Sequence, residues 1–454
     1  MKHFTHLEDY LTYYAQLTPD KIAVVCNEHI LTYSELLCRV NEKKDEIKQY
    51  YKENSPFVFL STQDERFLIT YLAIHLAQCI AVPLERNSPD KIMDDIKSRL
   101  AGNIFPPETA DILFTTGTTG KSKGVMIGHT AIVANGENLI DAMNFTSDLS
   151  FIICGPLNHI GSLSKIYPVL MTGGTLIILE GLKKIDAFFN TLKIPSSRFA
   201  TFMVPSSIHL MLLLASKQLA EYAGKIAFIE TGGAAMPQAD ITVLKKLLPS
   251  SKFFLTYAST ETGIIATNEC FENPDKADSA GKAMKNSSFF ITTEGTLACQ
   301  GKTLMLGYAG DKELTQTILY NDAVHTTDIA EIDPEGYLYI RGRIDDVINI
   351  GGYKIAPTEI ENAVADFPNL SESICICEKH PILGSVVKLL FVSKNDEKLN
   401  IKAIASHLRN KLEEYKIPYM YKQVDSIHKT YNGKIDRKYY ISECCMESVN
   451  KSKE

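Results

Sequence analysis

Residues 111–129 read DILFTTGTTGKSKGVMIGH, and this stretch carries the strongest signal for the fold. An apolar strand pattern leads directly into a segment of glycine, threonine and lysine. Glycine allows tight turns that bring N–H groups close to an anion, while hydroxyls and lysines add donors and positive charge. The stretch predicts a polyphosphate loop, with a plain flexible turn as the alternative. It is not a Walker P-loop, because Thr115 stands where that motif requires glycine.

Short apolar runs on both sides of this loop alternate with segments long enough for a crossover helix. Residues 66–78, RFLITYLAIHLAQ, are typical of such a helix. The runs predicted as strands are FVFLS (57–61), IAVPL (80–84), LSFIICG (149–155), TLIIL (175–179), FATFMV (199–204) and KIAFIE (225–230). Apolar strands joined by helices predict an α/β fold of stacked, mainly parallel sheets with helices on both faces.

The pattern changes after residue 340, where EIDPEGYLYIRGRIDD places turn signals inside alternating strands. A smaller α+β unit follows, with helices predicted at PTEIENAVADF and KAIASHLRNKL and strands at SICICE and VVKLLFVS. We therefore expect a large N-terminal domain over residues 1–344 and a small, mobile C-terminal domain over residues 345–454.

The bulk composition narrows the class of protein. The 454 residues are 45% hydrophobic and 22% charged, with a net charge of −7, which argues against disorder, nucleic-acid binding and membrane-surface binding. The 10 cysteines form no zinc motif, and the N-terminus lacks the apolar core of a signal peptide. No run is apolar enough to insert stably in a membrane. We expect a cytoplasmic protein with reduced thiols.

The phosphate loop resembles the signature of the adenylate-forming superfamily: acyl-CoA synthetases, adenylation domains of nonribosomal peptide synthetases, and luciferases. The acyl-CoA synthetases are the most similar. The opening ILTYSELLCRVN (30–41) fits as well. Four further motifs match in the expected order: TGGAAMP (231–237), YASTETG (257–263), TTDIAEIDPEGYLYIRGRIDDVINIGGYKIAPTEIE (326–361) and NGKIDRK (432–438).

The resemblance implies a nucleotide site assembled from several motifs. The phosphate-binding residues would be Thr115, Thr116, Gly117, Thr118, Thr119, Gly120, Lys121 and Lys123. The adenine and ribose residues would be Gly232, Gly233, Ala234, Tyr257, Ala258, Ser259, Asp328 and Arg343. Taken alone, Tyr257 is more typical of a packed core aromatic. The alternative for Asp328 is a residue at a strand end that caps a turn.

The resemblance also assigns catalytic roles to Lys434, Thr260 and Glu261. Lys434 would bridge the attacking carboxylate and the α-phosphate, and Thr260 would hold that phosphate. Glu261 would bind Mg²⁺, which in proteins takes phosphates and one or two carboxylates. Without the motifs, Lys434 and Glu261 would both be ordinary solvated surface charges.

Motion of the small domain is implied too. Asp345 matches the family's hinge. Rotation about it would move Lys434 out of the active site and bring in Gly351, Gly352 and Lys354, which would form a tunnel for the thiol. The glycines would leave room for a pantetheine arm. Hinges of this kind are a few residues that absorb a large backbone change.

The acid-binding pocket is the least defined part. The predicted pocket residues are His159, Val204 and Gly233, of which Val204 fits an ordinary core equally well. Segment 154–174, which contains His159, resembles that of acyl-CoA synthetases. It contains no Asp to hold a substrate ammonium, which disfavours α-amino acids. Compared with the family, the segments before the phosphate loop and between Gly263 and Gly301 are short.

We therefore expect an ATP- and Mg²⁺-dependent ligase that joins a small carboxylic acid to the thiol of CoA through an acyl-adenylate. One alternative acceptor is the phosphopantetheine of an acyl carrier protein. The other alternative is that the protein is a non-catalytic nucleotide-binding module. The identity of the acid and a homodimeric state are left open.

Overall fold

The computed structural model describes residues 2–115, 122–182, 185–194, 198–234, 236–346, 348–350, 353–380, 384–394, 397–430, 435–437 and 439–440. Side chains are not described at 345, 349, 350, 353, 354, 384 and 385. Of the sequence-predicted site residues, Thr116 to Lys121, Gly351, Gly352 and Lys434 lie outside the described residues.

The helices follow the amphipathic segments of the chain. They are α1 (Leu7–Leu17), α2 (Tyr33–Tyr50), α3 (Glu65–Leu76), α4 (Asp90–Leu100), α5 (His129–Met143), α6 (Ile160–Thr172), α7 (Ile185–Thr191), α8 (Pro205–Glu221), α9 (Gln238–Leu247), α10 (Lys312–Ile318), α11 (Pro357–Val364) and α12 (Ile401–Arg409). None of these is both long enough and apolar enough for a transmembrane helix, a finding that covers the described residues.

The strands up to the nucleotide motifs are β1 (Ile22–Cys26), β2 (His29–Thr32), β3 (Pro56–Leu60), β4 (Ile80–Leu84), β5 (Thr109–Thr115), β6 (Lys123–Gly128), β7 (Leu149–Ile153), β8 (Thr175–Ile178), β9 (Arg198–Phe202), β10 (Ile226–Gly232), β11 (Lys252–Ser259) and β12 (Gly263–Glu269). The later strands are β13 (Lys282–Ala283), β14 (Ser287–Ile291), β15 (Thr296–Gly301), β16 (Gly307–Tyr308), β17 (Leu319–Tyr320), β18 (Ala323–Ile332), β19 (Leu338–Arg343), β20 (Ile348–Ile350), β21 (Tyr353–Ile355), β22 (Leu370–His380), β23 (Gly384–Ser393) and β24 (Met420–Gln423).

Two large sheets contain the parallel strands. The first has nine strands in the order β13-β12-β11-β10-β9-β7-β8-β1-β2, and β1, β8, β7, β9, β10 and β11 run parallel. The second has the order β16-β6-β5-β4-β3, with β3, β4 and β5 parallel. The predicted α/β fold is confirmed.

A third sheet, of β14, β15, β17, β18 and β19, differs from the parallel pattern predicted for this half of the chain. All its pairs are antiparallel. Short turns, such as the one at Gly295, join β14 to β15, β17 to β18 and β18 to β19, and they leave no room for the crossover that parallel pairing needs. Downstream lie the two-stranded sheet β20-β21 and the three-stranded sheet β22-β23-β24.

The main hydrophobic core is one apolar cluster of buried residues from several helices and strands. Leu72, Leu139, Phe151 and Leu163 are each completely buried within it. Burial of one such side chain contributes about 1.5–3 kcal/mol of stability. This core fixes the large parallel sheet, so the carboxyl ends of β9, β10 and β11 are held on a rigid support.

Local sequence explains where individual elements begin and end. Thr32 caps α2 in a reciprocal capping box with Glu35. The predicted run 199–204 ends as a strand at Phe202, because Pro205 begins α8 and proline is favoured at the first helical position.

Candidate functional site

The carboxyl ends of β10 and β11 lie side by side, and Gly232 makes their contact close. Gly232 is in register with Thr256 on β11. A Cβ at position 232 would lie 2.7 Å from the backbone oxygen of Thr256 and 2.9 Å from its Oγ1. Only glycine fits that distance. Parallel strand ends of this kind are where open α/β sheets bind ligands.

Tyr257, Asp328 and Arg343 form one connected group. Register in the antiparallel pair β18–β19 places Asp328 opposite Arg343, and Arg343 Nε lies 3.3 Å from Asp328 Oδ1. The Tyr257 hydroxyl donates to Asp328 Oδ2, which joins β11 to the third sheet. Arg343 also donates to Thr327 Oγ1 at 2.8 Å. The structure therefore brings together three residues that are distant in sequence.

Burial sets the electrostatics of this group. It raises the pKa of Asp328 above its usual value, although Tyr257 and Arg343 act in the opposite direction. It also raises the pKa of Tyr257 well above the usual range, with the charge of Asp328 adding to the effect. The Tyr257 hydroxyl therefore stays protonated at neutral pH and donates a hydrogen bond, and Asp328 is poised to accept hydrogen bonds from hydroxyl groups.

The turn between β11 and β12 carries Thr260 and Glu261. It is held by hydrogen bonds between Ser259 and Thr262, from the Ser259 N–H to Thr262 Oγ1 at 3.1 Å and from the Thr262 N–H to Ser259 Oγ at 3.0 Å. Gly263 follows with a φ of 68°, and a Cβ there would lie 2.6 Å from Asn135 Oδ1. A side chain at 263 would force this turn to move.

Tyr308 fixes the position of Glu261. Its hydroxyl donates to Glu261 Oε1 at 3.0 Å, and the Glu261 carbonyl accepts from the Met305 N–H at 2.9 Å. Lys123 Nζ lies 5.4 Å from the centre of the Tyr308 ring. Sequence reasoning missed Tyr308, which lies 47 positions from Glu261 and belongs to none of the quoted motifs. The β16–β6 pairing brings Tyr308 to the end of the phosphate loop.

Both ends of the phosphate loop are anchored. Thr115 at the end of β5 pairs with Lys123 at the start of β6, so residues 116–122 connect the two strands of an antiparallel pair. Arg99 donates to the Ser122 carbonyl at 2.7 Å, and the Ala309 N–H donates to the Gly124 carbonyl at 2.8 Å.

The predicted acid-pocket residues all lie at the carboxyl ends of strands of the nine-stranded sheet. His159 precedes α6, Val204 precedes α8, and Gly233 follows β10 with a φ of 82°. His159 Nε2 is 3.8 Å from Glu85 Oε1. The Phe202 ring lies near the start of α6, because a Cβ added to Gly161 would be 3.2 Å from that ring.

An ion pair between α6 and β10 was not predicted from the sequence. Lys165 Nζ on α6 is 2.6 Å from Glu230 Oε1 on β10, and Thr256 Oγ1 donates to the same carboxylate oxygen at 3.1 Å. Burial lowers the pKa of Lys165, and Glu230 opposes that shift. The signal in the sequence is one charged residue in each of two otherwise uncharged segments, Ile160–Thr172 and Ile226–Gly232.

The structure describes fewer of the C-terminal predictions. Asp345 lies in a short 3₁₀ turn, Ile344–Asp346, and Lys354 lies in β21. Arg437 belongs to the motif that contains Lys434. Its Nη2 atom is 2.6 Å from Glu361 Oε2, and its Nε atom is 3.6 Å from Asp346 Oδ2.

Glu261 fits the requirement for a magnesium ligand. Mg²⁺ takes hard oxygen ligands, commonly one or two carboxylates with substrate phosphates. Glu261 Oε1 accepts a hydrogen bond from the Tyr308 hydroxyl. Lys123, at the end of the phosphate loop, lies over the ring of the same tyrosine. The carboxylate is thus oriented beside the segment that would carry the phosphates.

Comparison with known proteins gives the family. The AMP-binding enzyme model matches residues 98–309, and the AMP-binding enzyme C-terminal domain model matches residues 359–434. A D-alanine–D-alanyl carrier protein ligase of Staphylococcus haemolyticus is 26% identical over 94% of this chain and 96% of its own.

An inden-4-yl-propanoyl:CoA ligase of Rhodococcus jostii is also 26% identical, over 74% of this chain and 65% of its own. The crystal structure of ATP-bound MatB from Rhodopseudomonas palustris superposes with a TM-score of 0.83 at 22% identity, over 95% of this chain and 98% of that one. Because the two family models match in chain order and together take in most of the sequence, this protein belongs to the AMP-binding enzymes.

Proposed function

We propose that this protein is an ATP-dependent ligase that joins a carboxylic acid to a thiol through an acyl-adenylate. The observation that carries the proposal is the position of β11. Tyr257, near its end, bonds Asp328, which pairs with Arg343. The turn after β11 carries Thr260 and Glu261, and Glu261 is bonded by Tyr308, whose ring lies near Lys123. A nucleoside and its phosphates would thus be held by one strand end.

The chemistry has two steps. A carboxylate oxygen of the acid attacks the α-phosphorus of ATP, and the bond to pyrophosphate breaks. A thiol sulfur then attacks the acyl carbon, the bond to AMP breaks, and the thiol proton leaves to solvent. Negative charge develops on the α-phosphate in the first step, and fixed donors and cations stabilise such charge strongly.

Residues of this chain would orient the nucleotide. Asp328 would accept hydrogen bonds from the ribose hydroxyls, with its carboxylate held by Tyr257 and Arg343. Gly232 and Gly233 would let the adenine lie against backbone. Thr260 would donate to the α-phosphate, and Glu261 would hold Mg²⁺, which offsets the charge of the phosphates.

Lys434 and the C-terminal domain complete the proposal. Lys434 would contact both the attacking carboxylate and the α-phosphate. We place the domain boundary at residues 344 and 345, with Asp345 as the hinge about which the small domain turns between the steps. Gly351, Gly352 and Lys354 would then border the thiol.

CoA is the acceptor we favour, in line with the acid pocket's resemblance to acyl-CoA synthetases. A carrier-protein phosphopantetheine is the second candidate. It is favoured by the D-alanyl carrier protein ligase, which matches nearly all of both chains, whereas the CoA ligase from Rhodococcus matches 65% of its own length. The cytoplasm suits either acceptor, because the described cysteines are all unpaired thiols.

Exchange of labelled pyrophosphate into ATP tests the first step. Purified protein with ATP, Mg²⁺ and a panel of carboxylic acids should show exchange that depends on the acid. Thioester formation with CoA or with a phosphopantetheinylated carrier protein then identifies the acceptor. Absence of exchange with every acid would contradict the adenylation itself.

Lys434→Ala tests the assignment of the lysine. The variant should lose adenylation by about 100-fold or more and still form thioester from supplied acyl-AMP, since the second step does not use this cation. Lys402→Ala, on the exposed side of α12, is the matched control and should retain both steps. Equal loss of both half-reactions in Lys434→Ala would remove the proposed role.

A further inference from the structure

The ion pair between Lys165 and Glu230 is almost fully shielded from solvent. The side chains are 2% and 0% exposed, and the distance from Nζ to Oε1 is 2.6 Å. Removing two charges from water costs several kcal/mol per ion, which the attraction within such a pair often fails to recover. A buried pair of this kind contributes little to the stability of the fold. Its position next to the proposed site therefore calls for a functional explanation.

Both charges lie at the part of the fold that would receive the acid. Glu230 and Gly232 share one face of β10, because alternate residues of a strand point the same way. Lys165 Nζ lies 5.0 Å from the centre of the Phe202 ring. A Cβ added to Gly161, two residues after His159, would lie 3.2 Å from the same ring.

The pair has hydrogen-bonding capacity that its neighbours leave unused. Glu230 Oε1 accepts from Lys165 and from Thr256, but Oε2 has no partner among the described residues, although it is buried. A lysine ammonium has three N–H donors, and Glu230 takes one of them. A buried acceptor without a partner destabilises the site, because the carboxylate oxygen has lost its hydrogen bonds to water and gained none in return.

One kind of chemical group satisfies both members at once. A hydroxyl donates one hydrogen bond and accepts others, so it would donate to Glu230 Oε2 and accept from Lys165 Nζ. We propose, as a consequence of the proposed ligase function, that the Lys165–Glu230 pair selects a carboxylic acid that carries a neutral hydroxyl group on the part remote from its carboxylate.

Acids of other classes fit this pair less well. A second carboxylate would place two anions against one cation, and an ammonium would place two cations against one carboxylate. Either leaves an uncompensated charge away from water. A purely hydrocarbon tail would leave Glu230 Oε2 without a partner, and sites built to bind a hydroxyl discriminate strongly against analogues that lack it.

The test compares acids of matched skeleton in the pyrophosphate-exchange assay. Aryl, arylpropenoic and fatty skeletons should each be supplied unsubstituted, with a hydroxyl, with a second carboxylate and with an ammonium group. On the skeleton that reacts best, we expect kcat/KM for the hydroxy acid to exceed that of the unsubstituted acid by about 100-fold or more. A best substrate that is unsubstituted, dicarboxylic or ammonium-bearing would overturn the proposal.

A double variant tests whether the ion pair causes this preference. Lys165→Met with Glu230→Gln removes both charges together, which avoids the unpaired buried charge that either single change would leave. The ratio of kcat/KM between hydroxy and unsubstituted acid should fall at least ten-fold. The exposed pair Lys252–Glu272, changed to Met and Gln in the same way, should keep the wild-type ratio. An unchanged ratio in the Lys165–Glu230 variant would overturn the assignment.

Thermal unfolding and ATP binding by the double variant report whether it folds. Should it fail to fold, the substrate ratios of the unaltered protein still decide the proposal. The outcome also separates the two hypotheses. No exchange with any acid contradicts the ligase function, whereas exchange without a preference for hydroxy acids contradicts this inference alone.

Discussion

At the scale of single residues, close backbone contacts define the nucleotide side of the site. Gly232 faces the Thr256 backbone, and Gly263 adopts a left-handed conformation against Asn135. Both glycines belong to motifs that resemble those of the adenylate-forming superfamily. Their role is geometric, because each sits where a methyl group would overlap a neighbouring oxygen.

Gly232→Ala should therefore damage both stability and nucleotide binding. The new methyl would lie 2.7 Å from the Thr256 oxygen, and forcing apart two packed strands costs about 1–3 kcal/mol. We expect a lower thermal midpoint and weaker ATP binding by calorimetry. Gly224→Ala is the matched control, because a Cβ at 224 meets no atom within 4 Å. Identical behaviour of the two variants would contradict the close approach.

Much of the site at this scale was predictable from sequence, because its residues fall in contiguous motifs. Tyr257 and Glu261 are separated by one turn, so their nearness follows from local structure. The pairing of Lys165 with Glu230, 65 positions apart, was not predictable. It depends on how α6 packs against β10, and no local pattern encodes that packing.

At the scale of elements, the short strand β16 supports the site from outside the motifs. It pairs with β6 and carries Tyr308 to Glu261. The two-residue strand has no periodicity of its own, which is why sequence patterns did not reveal it. The strands with long apolar runs were predicted to within a few residues, since burial on both faces leaves a clear signature.

Tyr308→Phe should impair adenylation without unfolding the protein. It removes one hydrogen bond to a carboxylate, worth about 1.5–3 kcal/mol, so Glu261 loses its fixed orientation. We expect the rate of pyrophosphate exchange to fall about ten-fold and the half-saturating Mg²⁺ concentration to rise. Tyr50→Phe removes a hydroxyl from a tyrosine that is 82% exposed and should change neither quantity. Equal Mg²⁺ dependence in both variants would contradict the role proposed for the hydrogen bond from Tyr308 to Glu261.

The first residue of α5 gives a pH dependence of stability. Burial, with the neighbouring His75 and His6, lowers the pKa of His129 to about 2. An unfolded histidine titrates near pH 6.5, so below that pH the unfolded state binds a proton that the folded state does not. Stability should fall with acidification from about pH 6.5, by roughly 1 kcal/mol per pH unit from this residue.

Chemical denaturation at pH 7 and pH 5.5 measures this contribution. His129→Gln should lose less stability than the unaltered protein between the two values. The exposed His29→Gln should follow the unaltered protein. A steeper acid dependence in His129→Gln would reverse the sign we assign.

At the scale of the whole molecule, the chain combines a rigid parallel sheet with a smaller C-terminal unit. Asp345 lies in the 3₁₀ turn between β19 and β20, and Thr358 of α11 donates to the Arg341 carbonyl at 2.8 Å. Turn signals in the sequence predict a domain boundary at residues 344 and 345. The contacts across it were not predictable, because they join residues with no shared periodicity.

Asp345→Pro should slow thioester formation more than adenylation. Proline fixes φ and prevents the backbone change that the proposed rotation requires. Pyrophosphate exchange measures the first step, and thioester formation from supplied acyl-AMP measures the second. Asp345→Ala leaves the backbone free and should retain both rates. If the proline variant loses both rates equally, the hinge belongs elsewhere.

The contacts of Arg437 have a consequence for engineering. Its guanidinium bonds Glu361 and lies near Asp346, so the stretch that contains Lys434 is linked to the residue beside the proposed pivot. A chimaera that borrows its last hundred residues from a relative would sever this link if the junction fell after residue 346. Joining the two parents before Ile344 would transplant the arginine together with both of its acidic partners.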